Sequence, residues 1–225
     1  MRVGIFNYTN MLVQSPSKIF KSDFRIWQKS EKIAITEILN NEEQAHTLIS
    51  VKEVVLNIEG ELRLNFDEER ILLILPLYGE IIITDFYEVI SAGMSLTLNT
   101  QTGKDVVIKN LVYHDQTDVL IFEFKKEEHI QGYCKNELDF ALKNNVFKIS
   151  KTLPQPNFIG LYNGRAEGFY KLKDPEKSIF GMVINGTFEF QNRLIENRDA
   201  ILLWELMELE FEALSENALI LFMEI

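Results

Sequence analysis

Two segments of this chain read as copies of one another. LYGEIIITDFYEVISAGMSL (77–96) aligns with INGTFEFQNRLIENRDAILL (184–203). Placing Gly79 on Gly186 sets an offset of 107 residues (186 − 79), and without a gap Gly93 then falls on Ala200, Met94 on Ile201 and Leu96 on Leu203. Upstream, EGELRL (59–64) matches EGFYKL (167–172) at an offset of 108 (168 − 60), so one insertion separates the two blocks. A repeat of this length means one folding unit made twice, and it restricts the architecture to two similar bodies in tandem.

Each copy is written in strands. ELRLNF (61–66), EIIIT (80–84), TFEFQ (187–191) and ELEFEAL (208–214) alternate apolar with polar residues. In the last of these Glu208, Glu210 and Glu212 share one face while Leu209, Phe211 and Ala213 share the other, as in a half-solvated antiparallel strand. Glycine turns punctuate the run at short intervals, and Asn185-Gly186 predicts a two-residue type I′ hairpin. One helix is expected, over EKIAITEILNNEEQ (31–44), whose apolar spacing also fits strands around Ile33 and Ile35. An antiparallel sheet leaves open edges and one bare apolar face, and rolling it into a jelly roll buries the face and hides most edges. The expected fold is therefore all-β, with two tandem jelly-roll barrels. The segment IQGYCKNELDFALKNNVFKISKTLPQPNFIG (130–160), rich in Asn, Lys and Pro, reads as the crossover. The expected division is an amino-terminal domain over 1–129, and a linker plus carboxy-terminal domain over 130–225.

Charge and cysteine content narrow the function. The formal net charge is −11, which repels phosphate backbones and argues against direct nucleic-acid binding. The single cysteine, Cys134, forms no internal disulfide, and a reducing compartment is the simplest inference. MRVGIFNYTN has no continuous apolar h-region, and the most apolar run, ILLILPLYGEIIIT (71–84), is short and interrupted by Pro76, Gly79 and Glu80. A cytoplasmic protein without a membrane association is expected.

INGTFEFQNRLIENRDAILLW followed by ELEFEALSENALILFMEI resembles the carboxy-terminal half of the pirin family, the bicupin group that includes quercetin dioxygenase-like proteins. GLYNGRAEGFYKLKDPEK (160–177) extends the likeness, which covers roughly 155–225 and continues through EGELRL and ILPLYGEI in the first copy. The resemblance implies two cupin barrels, head to tail. In metal-binding members it further implies one iron or similar ion in the amino-terminal barrel. Three histidines and one glutamate hold it, two of the histidines and the glutamate from a His-x-His-x3-Glu motif ahead of a turn glycine. With Gly79 as that glycine, the glutamate position falls on Ile71 and the paired histidine positions on Asn65 and Asp67. After Gly93, SLTLNTQTGKDVVIKN contains no histidine for the second motif. Isoleucine has no lone pair, and no histidine lies between 47 and 113 to restore the set.

The remaining candidates are few. His46, His114 and His129 form no i, i+2 or i, i+4 pair. His114, in LVYHDQTDVL, reads as a hairpin-tip residue beside a pocket at most. Asp67, Glu68 and Glu69 read as a solvated loop, as does the acidic stretch from Asp199 to the end, which has no Lys or Arg. Trp27, Trp204, Phe188, Phe190 and Phe211 lie on strand-like segments, either as core or as the lining of a barrel that holds a flat apolar ligand. Two functions follow as expectations. The first is a metal-free, non-catalytic module that binds an unknown small molecule or protein, the pirin likeness adding a transcriptional cofactor as one form of it. The second is a quercetin 2,3-dioxygenase-type oxygenase with one iron, nickel or manganese ion on non-standard ligands, for example His114 with Asp67.

Overall fold

In a computed structural model of the chain, the described residues are 14–41, 46–84, 86–126 and 133–225. They fold into strands joined by turns, with a single 3-10 turn at Ser22–Phe24 and no helix long and apolar enough to cross a membrane. His129 lies outside the described residues, as do 42–45 at the end of the expected helix.

Each copy of the repeat builds one large and one small antiparallel sheet. In the first copy the large sheet centres on Leu48–Leu56, Thr117–Lys125, Arg70–Tyr78 and Met94–Asn99, in that spatial order. Its small sheet runs Glu61–Leu64, Val106–Asn110, Glu80–Ile83, Glu88–Ser91. In the second copy the corresponding large-sheet order is Asn157–Tyr162, Ala218–Glu224, Ile179–Asn185, Ala200–Leu203. The small sheet is Glu167–Lys171, Glu208–Ala213, Phe188–Phe190, Leu194–Ile195. The molecule is thus all-β, two jelly rolls in tandem.

Gly79 and Gly186 occupy the same place in each copy. Both have left-handed backbone, φ +78° and +79°, and both turn the chain from its large sheet into its small one. Asn185-Gly186 is therefore a corner and not the expected type I′ hairpin, because Asn185 stays at negative φ and the strands on either side belong to different sheets. The expected helix is also replaced: Ile33–Asn40 is a strand paired with Leu48–Leu56. A bulge between Glu37 and Leu39 breaks the period of two, so Ile38 and Leu39 are both buried, and this pair gave the segment its helical spacing.

The outermost strands are exchanged. Ser17–Phe20, ahead of the first copy, pairs with Ala200–Leu203 in the second copy's sheet. Tyr133–Glu137, ahead of the second copy, pairs with Met94–Asn99 in the first copy's sheet. Sheet membership therefore crosses the expected division at residue 130 in both directions.

Three apolar cores result. One fills the first barrel, one the second, and the third lies between the two large sheets. Alternation sorts Arg70–Tyr78 between them: Leu72 and Ile74 point into the first barrel, and Ile71, Leu73 and Leu75 into the interface. With both faces covered, the strand reads as a continuous apolar run and not as an alternating one. Phe122 and Phe180 meet edge to face across the interface, ring centroids 6.2 Å apart, each worth about 1.5–3 kcal/mol through burial alone.

Candidate functional site

The first barrel is where the sequence places a degenerate metal motif. Its inward positions are Val54, Leu56, Leu72, Ile74, Ile81, Ile83, Leu96 and Leu98, with Val106, Ile108, Val119 and Ile121 closing the ring. Leu62, Leu64 and Phe66 pack against them. The motif positions lie one residue out of phase with this set. Asn65 and Asp67 flank the inward Phe66 and are exposed, while Ile71 precedes the inward Leu72 and faces the interface core. Because a strand alternates sides, a one-residue slip moves every side chain to the opposite face. Among the described residues no group of three or more His, Cys, Asp or Glu side chains is arranged to hold a metal ion.

The four predicted positions do not meet. Asn65 donates its Nδ2–H to Asp105 Oδ1 at 2.7 Å, at the end of the barrel where Arg70–Tyr78 begins. His114 is exposed at the other end, next to Asp115, whose carboxylate accepts the Tyr78 hydroxyl at 2.5 Å. That bond, with the Gln116 N–H, holds Asp115 below the usual carboxylate range. Asp67 and His114 are thus separated by most of a nine-residue strand, roughly 20–25 Å, and one ion cannot join them. His46 has its titration lowered by burial, against a backbone hydrogen bond with Ile225, and belongs to the contact between halves.

Beside Asn65 a cavity of about 580 Å3 opens at the mouth of the first barrel. Phe86 and Val106 form its apolar floor; Arg63, Lys104, Asp105 and Gln101 line its polar walls. Arg63 bonds Glu61 at 2.5 Å and stays largely exposed. On the second barrel a smaller cavity, about 140 Å3, is lined by Glu167, Glu189, Glu210, Glu212 and Phe211. Inside this barrel Tyr162, Phe188, Phe190 and Phe211 stack at centroid distances of 5.3–6.1 Å, and burial pushes the Tyr162 hydroxyl up to about 12. Phe188, Phe190 and Phe211 are thus core residues of the second barrel, one of the two readings open for them.

A second constellation escaped the sequence reading, since its members are scattered over 25, 53, 118 and 198. The face of the first large sheet that carries Leu120 and Phe122 into the interface ends in Glu53 and Asp118. Two guanidinium groups cover these carboxylates. Arg25, from the segment that follows the exchanged strand, reaches Glu53 Oε2 at 2.5 Å and donates to the Arg198 carbonyl. Arg198, from the second copy, contacts Glu53 Oε1 at 3.1 Å and Asp118 Oδ2 at 2.8 Å, on a left-handed backbone with φ +67°. The Arg25 and Glu53 side chains are only 5% and 7% exposed. Burial raises both carboxylates and lowers Arg25. Nearby, Lys21 lies 2.6 Å from Asp199 and 2.9 Å from Glu196. A cavity of about 440 Å3 opens beside this cluster.

No known family profile matches the chain, and no curated protein matches it by sequence. Solved structures match it by shape. YhhW from Escherichia coli superposes with a TM-score of 0.78 at 13% identity, over 92% of this chain and 97% of that one. A nickel(II) complex of bacterial pirin YhhW from Escherichia coli gives 0.73 at 13% identity, over 92% and 98%. Quercetin 2,3-dioxygenase from Acinetobacter baumannii gives 0.63 at 10% identity, over 92% and 78%. With a duplicated jelly roll and these neighbours over most of its length, the chain has the bicupin fold of the pirin type.

Proposed function

We infer that this pirin-type bicupin is a metal-free, non-catalytic binding module, and that the cavity at the mouth of its first barrel is the site offered to a ligand. One observation carries the reading. The core of the barrel is Val, Leu and Ile with Phe66, Phe86 and Met94 packed against it, and Thr117 and Asn110, polar side chains on the same strand faces, bring a hydroxyl and an amide but no imidazole or carboxylate. Iron, nickel or manganese needs several imidazole or carboxylate ligands to stay bound and to activate dioxygen, and these residues do not fit one. The cavity at the mouth sets Phe86, Val106 and Val107 among Arg63, Gln101, Lys104, Asp105 and other polar groups, a mixed lining that suits a polar small molecule.

Protein purified without chelator, analysed for metals and assayed with quercetin, tests this reading. Metal far below one equivalent and no quercetin consumption are expected. A thermal-shift screen of small molecules is expected to find compounds that raise the midpoint, since a ligand bound only by the folded state stabilises it by mass action. Lys104→Glu at the cavity wall is expected to abolish that rise while leaving the unliganded midpoint in place. One equivalent of iron, nickel or manganese with quercetin turnover would overturn the assignment.

A further inference from the structure

We propose that the cavity at the mouth of the first barrel binds an organic carboxylate, one anionic head on a small apolar body. The cavity's standing as the ligand site rests on the reading above; the charge and class of its occupant are new.

Local charge is positive there. Among the groups that line the cavity or pair with those that do, three cations, Arg63, Lys104 and Lys109, stand against two carboxylates, Glu61 and Asp105. Glu61 is shared, with Arg63 Nη2 at 2.5 Å from one oxygen and Lys109 Nζ at 2.7 Å from the other. Asp105 accepts the Asn65 Nδ2–H at 2.7 Å, and Arg63 Nη1 stays 3.9 Å from it, beyond hydrogen-bond reach. Lys104 lines the cavity and forms no ion pair with a described residue. Of the acidic run after Phe66, Glu68 and Glu69 pair with Arg70 and Lys126, and none of the three lines the cavity. One positive charge is therefore unmet, on a chain whose net charge is −11, and a single carboxylate balances it.

The hydrogen-bonding groups agree in sense. Thr100 is only 1% exposed; its hydroxyl oxygen accepts the Arg70 N–H at 2.8 Å, and no described residue accepts its own O–H. Buried polar groups are normally satisfied, so a buried hydroxyl with a free proton calls for an acceptor. The Lys104 ammonium and the Gln101 carboxamide also line the cavity without a side-chain hydrogen bond to a described residue. The one carboxylate in the lining, Asp105, is already engaged by Asn65. What this site lacks is an acceptor, and an ionised carboxylate makes the strongest bonds of that kind to ammonium and guanidinium donors.

Size and apolar surface set the rest of the ligand. Phe86, Val106 and Val107 supply the apolar part of the lining, and the Phe86 ring is held by a tilted contact with Tyr133, centroids 5.1 Å apart. At about 580 Å3 the space exceeds what an inorganic anion fills and lies in the range of pockets for small organic molecules. A bare inorganic anion would leave the apolar floor uncovered, so the carboxylate is carried on an apolar body.

The test is calorimetric titration of the full chain with phenylacetate and 3-phenylpropanoate, each beside its amide and the matching phenylalkylammonium, at equal ionic strength. The carboxylates are expected to bind saturably, and the amides and ammonium ions roughly tenfold more weakly or not at all. Lys104→Met keeps the alkyl stem and removes the charge. It is expected to weaken the carboxylates by about tenfold, the loss of about one hydrogen bond to a charged group, with Lys104→Arg retaining their affinity. If Lys104→Met fails to fold, the wild-type series still decides. Amides or ammonium ions that bind as tightly as the carboxylates would overturn the assigned charge and leave the cavity a ligand site. Carboxylate binding undiminished in folded Lys104→Met would overturn it by placing the anion elsewhere. No saturable binding by any of these compounds would also overturn it, and the thermal-shift screen then decides separately whether the cavity takes any ligand.

Discussion

Asp199 accepts three donors at once: Lys21 Nζ, the Ser22 N–H and the Glu196 N–H. Burial pushes its carboxyl up, but those donors outweigh burial and hold it below the usual 3.8. A depressed folded-state value means stability that is present above the unfolded value and lost as pH falls through the folded one. Asp199→Asn is therefore expected to cost about 1–3 kcal/mol at neutral pH, with the gap to wild type closing below pH 3.8 in urea titrations. Glu53 has the opposite sign. Burial, with Asp118 next, raises it above the usual 4.5, so the native state keeps a proton that the unfolded chain releases. Its contribution declines as pH rises from 4.5 through that raised value, and Glu53→Gln is expected to remove this slope. At this scale the sequence was only partly readable. The absence of histidine from 47 to 113 was visible in the letters. The inward register was not, because Asn65, Phe66 and Asp67 carry no internal mark of which one points in. Only pairing with Val106–Asn110 fixes the phase.

Elements were readable where alternation was unbroken. Glu208–Ala213 came out as read, with Leu209, Phe211 and Ala213 buried. Elements were misread where a local irregularity imitated another period, as the bulge in Ile33–Asn40 imitates a helix. The Asn-Gly corner shows a second cause: a dipeptide reports local backbone freedom, but the sheet that receives the next strand is a long-range choice. Close packing between elements gives a direct test in the second barrel. At Gly181 a Cβ atom would sit 2.6 Å from Phe190 Cζ and 3.3 Å from Ile201 Cγ2. Gly181→Ala is expected to force the Phe190 ring aside at a cost of about 1–3 kcal/mol. A lower urea midpoint with an unchanged denaturant slope would record it.

For the whole molecule, the repeat fixed the architecture before any element was certain. Two copies at offsets of 107 and 108 predicted two bodies, and the corners at Gly79 and Gly186 bear out the alignment in three dimensions. The repeat could not reveal the exchange of outer strands, since neither Ser17–Phe20 nor Tyr133–Glu137 lies inside the duplicated region. That exchange has a genetic consequence. A gene cut after codon 130 would yield two polypeptides, each carrying the edge that its counterpart lacks and leaving its own sheet short. Made alone, each is expected to aggregate or be degraded; made together in one cell, they are expected to co-purify as a folded one-to-one pair without any peptide bond between them. Independent solubility of both pieces would show that the borrowed edges are dispensable.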